Sequence, residues 1–73
     1  MIKFESTGVY QAPGRGRVYV VELDHEVKDF DWLIGKEALI DGHYLQVKGV
    51  ELFTHHAPWR KGEPIGIRVE EKK

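Results

Sequence analysis

No cysteine occurs among the 73 residues, so the chain has no disulfide staple, no thiolate metal ligand and no cysteine nucleophile. Packing alone must hold it together. Long apolar runs are also missing: the longest are a few residues, against the ~20 that cross a bilayer as a helix. Met1-Ile2-Lys3-Phe4-Glu5 lacks the basic-then-apolar order of an export signal. The expectation is a cytoplasmic protein with no membrane partner. Nor is there an excess of one charge. Eleven Lys and Arg stand against twelve Asp and Glu, a formal charge of −1, so no global field draws the chain to nucleic acid and any such binding needs a local patch. Side-chain hydroxyl nucleophiles other than tyrosine are few. Ser6, Thr7 and Thr54 are the only ones, and none sits in a nucleophile elbow, which leaves Ser-His-Asp chemistry without a candidate.

What is present is a globular composition, 41% hydrophobic and 32% charged with both signs interspersed, which is the balance of a folding chain rather than a disordered one. A chain this short buries only about 60% of its unfolded surface. It has room for one core and a stability of roughly 3–5 kcal/mol, too little for many strained catalytic groups. The expectation is therefore a binding module rather than an enzyme.

Period-two alternation dominates the pattern. Ile2-Lys3-Phe4-Glu5-Ser6 reads as a half-buried strand, Gly8 permits a turn or bulge, and Val9-Tyr10-Gln11 continues or restarts the strand. Ala12-Pro13-Gly14-Arg15-Gly16 is a loop, and Val18-Tyr19-Val20-Val21-Glu22-Leu23 is a central strand rich in β-branched residues. Between Asp24 and Leu33 the alternation stops. Val27, Phe30 and Leu33 fall three apart, which predicts a short helical turn near residues 26–33 crossing the end of a barrel, with Phe30 or Trp32 as its plug. Asp41-Gly42 between two alternating runs predicts a two-residue type I′ hairpin, pairing Ile40 with His43, Leu39 with Tyr44 and Ala38 with Leu45. Gly49 marks a bulge before Val50-Glu51-Leu52-Phe53, and Ile65-Gly66-Ile67-Arg68-Val69 is the last strand. Residues 1–69 thus read as one all-β domain, a closed or nearly closed barrel of about six strands, followed by a charged, frayed tail at 70–73.

Four segments carry a family likeness: Gly14-Arg15-Gly16-Arg17-Val18, Ile34-Gly35-Lys36-Glu37-Ala38-Leu39-Ile40, Val47-Lys48-Gly49-Val50-Glu51-Leu52-Phe53 and Lys61-Gly62-Glu63-Pro64-Ile65-Gly66-Ile67. Together, over residues 14–69, they resemble the second domain of elongation factor Tu and related translational GTPases. The resemblance implies a Greek-key β-barrel with Gly35 and Gly62 at turns entering strands. It does not imply GTPase activity, because that chemistry belongs to a separate domain with a phosphate loop that has no counterpart here. In those factors the barrel contacts RNA, but no residue of this chain matches such a contact. The short chain and its Pro58–Pro64 segment also look like small bacteriophage and prophage proteins.

The candidate site residues are Arg15, Arg17, His55, His56, Trp59, Arg60 and Lys61. His55 and His56 invite a metal, with His25, His43, Asp24 and Glu26 as additions. Neighbours on a strand point to opposite faces, so they read as structural or surface histidines, and no metal or cofactor is expected. Arg15 and Arg17 flank glycines but lack the Lys-Ser/Thr and helix of a phosphate loop, and a strand-initiating turn is the reading. Trp59 beside Arg60 and Lys61 is either a buried anchor with its cations in water or an exposed platform for bases. Asp24, Glu26, Asp29 and Asp31 lack the calcium-loop pattern and read as a solvated surface. The functional expectation is a stand-alone module that acts on a protein partner through residues 54–64. The alternative is RNA or single-stranded nucleic-acid binding through a basic-aromatic rim.

Overall fold

The alternating runs form six strands: β1 (Ile2–Phe4), β2 (Gly8–Ala12), β3 (Gly16–Glu22), β4 (Glu37–Ile40), β5 (His43–Leu52) and β6 (Pro64–Val69). They were identified in a computed structural model that describes residues 2–53 and 57–70. The strands make one mixed sheet in the order β1-β4-β5-β6-β3-β2. Only the β1–β4 pair is parallel.

Local sequence chemistry accounts for the turns. Asp41 (φ 51°) and Gly42 (φ 84°) both occupy the left-handed region that a type I′ turn demands. The ladder they set pairs Ile40 with His43, Leu39 with Tyr44 and Ala38 with Leu45, as the sequence predicts. Pro13 and Gly14 (φ 72°) fill the central positions of a type II turn closed by the Arg15 N–H donating to the Ala12 carbonyl at 2.9 Å. The expected bulge is present, since the β5–β6 register shifts between Val47 and Gly49. The runs either side of it are nevertheless one strand of ten residues, which pairs with β4 through its first half and with β6 through its second. The bulge turns the corner between those two halves.

The sheet is not closed into a barrel by hydrogen bonds: β1 and β2 remain its two edges. Yet these edges are consecutive in the chain. Phe4 and Gly8 are four residues apart, at most about 14 Å of extended chain, whereas the edges of a flat six-strand sheet would lie about 24 Å apart. The sheet is therefore strongly coiled, with its edges joined by the covalent link of Glu5, Ser6 and Thr7. That link is tied to the hairpin turn. The Ser6 N–H donates to Asp41 Oδ1 at 2.8 Å and the Ser6 hydroxyl to Asp41 Oδ2. Hydrogen bonds from the Ser6 hydroxyl and N–H hold the Asp41 carboxyl below the usual aspartate range.

Inside the coil lie Val21, Leu33, Ala38, Ile40, Val47, Ile65 and Ile67, all fully buried, with Tyr19, Leu23, Val27, Phe30 and Val69 around them. Each large aliphatic side chain contributes roughly 1.5–3 kcal/mol by its burial. The connection from Leu23 to Lys36 covers the end of this core, and Phe30 (6% exposed), not Trp32, is its buried aromatic. No helix forms there or elsewhere among the described residues, contrary to the helical turn expected at 26–33. Val27 instead exchanges both backbone hydrogen bonds with Trp59 (2.8 and 2.9 Å), and the Asp29 carboxylate accepts from the Asp31 N–H at 3.2 Å. These partners outcompete a nucleus that so short a segment cannot sustain. What survives is a single turn in which the Phe30 carbonyl accepts from Leu33 and Ile34. The three-residue spacing marked burial correctly and conformation wrongly. Glu70, expected to open a frayed tail, is held: its N–H donates to Gln46 O at 3.1 Å and its carboxylate lies 3.4 Å from Lys48 Nζ.

Candidate interaction face

β3, β6 and the second half of β5 turn one face to the core and the other outward, and β2 extends that outer face beside β3. Register places Tyr10, Val18, Arg68 and Gly49 in one row across that outer face, and Gly8, Val20, Gly66 and Glu51 in the next. Two glycines shape it. A Cβ on Gly66 would lie 2.7 Å from Val18 Cγ1, 3.1 Å from Glu51 Cβ and 3.4 Å from Phe53 Cζ, so these three side chains occupy the space that Gly66 leaves. A Cβ on Gly49 would run into Nη2 of Arg68, whose guanidinium lies across the bare backbone of that residue.

Charge on this face is unbalanced. Arg15 leaves the β2–β3 turn and binds Glu51 at 2.9 Å, with side-chain exposures of 55% and 20%. Arg68 has no such partner among the described residues, and its Nε is sealed from solvent without an acceptor. A sealed guanidinium donor lacking an acceptor is costly, and a group supplied from outside can relieve the unbalanced charge. Beside the two arginines, Tyr10 and Phe53 leave 39% and 47% of their surface in water and, with Arg15 and Glu51, line a shallow hollow of about 390 Å³. Exposed rings around a guanidinium are the residue types that anchor protein interfaces.

The residues singled out from the sequence do not converge. Arg15 is on the outer face, whereas Arg17 stands at the hairpin end of β3, where its Nη1 donates to the Tyr19 hydroxyl at 3.4 Å beside a separate hollow lined by His43, Tyr44 and Leu45. Trp59 is half-buried, packed on the core with its ring 5.0 Å from Phe30 at 57°, the arrangement of an anchor. Arg60 and Lys61 are exposed on the turn that follows, where Glu63 Oε1 accepts from the Arg60 N–H at 3.0 Å. That turn leads into the Pro64 end of β6, opposite Glu22, so about 17 Å of β3 separates it from Arg17. The basic-aromatic rim proposed from sequence is thus split between two ends of the sheet. His55 and His56 lie outside the described residues. No group of three or more His, Asp or Glu that could hold a metal occurs among the described residues.

Scans against protein-family models, curated proteins and solved structures find no match. The likeness to translation-factor barrels accordingly rests on the four quoted segments. The residues that sequence reasoning missed are Tyr10, Glu51, Phe53 and Arg68. A signal for them existed in the alternation of Ile65-Gly66-Ile67-Arg68-Val69, which sets Gly66 and Arg68 on the face away from the core, but which strand lies beside them is not written in that segment.

Proposed function

We propose that this chain is a non-enzymatic binding module that engages a protein partner through the outer face of β2, β3, β6 and β5, with Arg68 receiving a carboxylate of that partner. The observation that carries the reading is the Arg68 guanidinium, held across Gly49 with no ion pair among the described residues, on the face that also carries exposed Tyr10 and Phe53. An arginine fork that already sits in place loses little freedom on pairing, and exposed rings elsewhere on the same face supply the apolar contact that excludes water from an interface. This face lies outside the segment 54–64 chosen from the sequence, and the proposal moves the partner's contact from that segment to the sheet.

The scaffold we propose is a barrel of the translation-factor kind that coils without closing. Its support is topological. β4, β5 and β6 follow one another in the sheet and β3 returns to lie beside β6 after a long connection, which is the strand order of a Greek key. Gly35 (φ 84°) and Gly62 (φ 89°) occupy turns entering β4 and β6, the places the resemblance implies.

The test is affinity capture from an extract of the encoding organism, with and without nuclease, using wild type, Arg68→Ala and Phe53→Ser as baits. Neither side chain belongs to the core cluster, and a thermal melt of each bait establishes that it is folded before capture is compared. The expected result is a nuclease-resistant protein enriched on wild type and reduced at least about tenfold on both variants, the loss that about 1.4 kcal/mol produces. Nuclease-sensitive capture, or capture indifferent to both substitutions, refutes the reading.

A further inference from the structure

The outer edge of β2 has no strand beside it among the described residues, and it differs in kind from the other edge of the sheet. β1 is three residues long with exposed Lys3 at its centre, the short and charged design that discourages pairing. β2 is five residues, Gly8-Val9-Tyr10-Gln11-Ala12, none of them charged in a chain that is 32% charged, and its Val9 is 51% exposed. We infer that this edge pairs with β2 of a second copy of the chain, antiparallel about a two-fold axis through Tyr10.

Self-complementarity singles out that occupant. In this register Tyr10 meets Tyr10, Val9 meets Gln11 and Gly8 meets Ala12, so no charge faces another and the small residues fall at the ladder ends. Sliding the register by two residues toward the hairpin brings Pro13, which lacks an N–H, opposite Val9 and breaks the ladder. The net charge of −1 adds almost no repulsion between copies. A ladder of five residues falls well below the roughly 1,200–2,000 Å² of a standard interface, so the dimer is weak and forms reversibly as concentration rises. The inference does not rest on the proposed function: Tyr10 belongs to both surfaces, but the edge pairing needs neither Phe53 nor Arg68.

Sedimentation of the purified chain from about 10 μM to about 1 mM, a range that brackets weak affinities, tests it. The expected weight-average mass climbs from 8.4 kDa toward twice that value. Tyr10→Lys places two ammonium groups across the axis and should hold the protein monomeric, while Tyr10→Phe and Phe53→Ser should associate like wild type. Thermal melts of each variant at low concentration establish that it is folded. Amide exchange at Val9 should slow with concentration in wild type, Tyr10→Phe and Phe53→Ser, but not in Tyr10→Lys. A monomer throughout, equal association of Tyr10→Lys, or association without any change in Val9 exchange overturns the inference.

Discussion

Replacing Gly66 with alanine should destabilise the protein for lack of space alone. Its φ lies outside the left-handed region, so alanine meets no backbone strain, and the 2.7 Å approach to Val18 Cγ1 is the term that opposes it. Val18 is fully buried, with Tyr10 and Arg68 as its cross-strand neighbours, so it cannot yield by moving into solvent. Overpacking of this kind costs about 1–3 kcal/mol, and the lower unfolded-state entropy of alanine returns about 0.4–1 kcal/mol. The net loss is about 1–2 kcal/mol, a fall in Tm of about 4–16 °C for a chain of this size. Urea unfolding followed through Trp32 and Trp59 fluorescence measures it, with the Val18→Ala single and the double variant completing a thermodynamic cycle. Trimming Val18 opens the space, so the double variant should lose about 1 kcal/mol less than the sum of the singles. Gly49→Ala is the control, because its Cβ meets only the end of the Arg68 side chain, which can swing away. Wild-type stability of Gly66→Ala, or strict additivity in the cycle, would refute the packing argument.

Two further predictions concern the link between the edges and the half-buried tryptophan. The Asp41 carboxyl titrates below its unfolded value of about 3.9, so the stability contributed by its charge is present above that value and lost as pH falls through the lower folded one. The urea midpoint of Asp41→Asn should therefore lie below wild type at pH 7 and approach it near pH 3, and a pH-independent gap contradicts this. Trp59→Ala removes a ring packed on Phe30, and because the ring is only half-buried the loss should be about 2 kcal/mol rather than the 3–5 of a core aromatic. Calorimetry should show a Tm lower by about 8–16 °C. An unchanged Tm would mean that the ring is a free platform and not an anchor.

Wherever a structural choice depends on φ and ψ of a few neighbouring residues, it was legible in the sequence. Asp41-Gly42 determined both the hairpin and its register, Pro13-Gly14 the interruption between β2 and β3, although Ala12 and Gly16, read as loop, pair as strand ends, Gly49 the bulge, and alternation the inward residues Ile65, Ile67 and Val69. Steric limits on single residues produce these features, so distant parts of the chain have little power to alter them. The tertiary structure decided everything that needed two remote segments to meet. Val27 pairs with Trp59 rather than starting a helix, β3 lies beside β6 although more than forty residues separate their centres, and β1 and β2 stop short of pairing to leave an open edge. The candidate face belongs to this second kind. Arg68 acquires its place only because Gly49 of β5 lies against it, and Val18, Glu51 and Phe53 meet only over Gly66. Such contacts carry no local signature, since they are selected by how the coiled sheet shares one small core among all six strands after the loop-closure entropy has been spent.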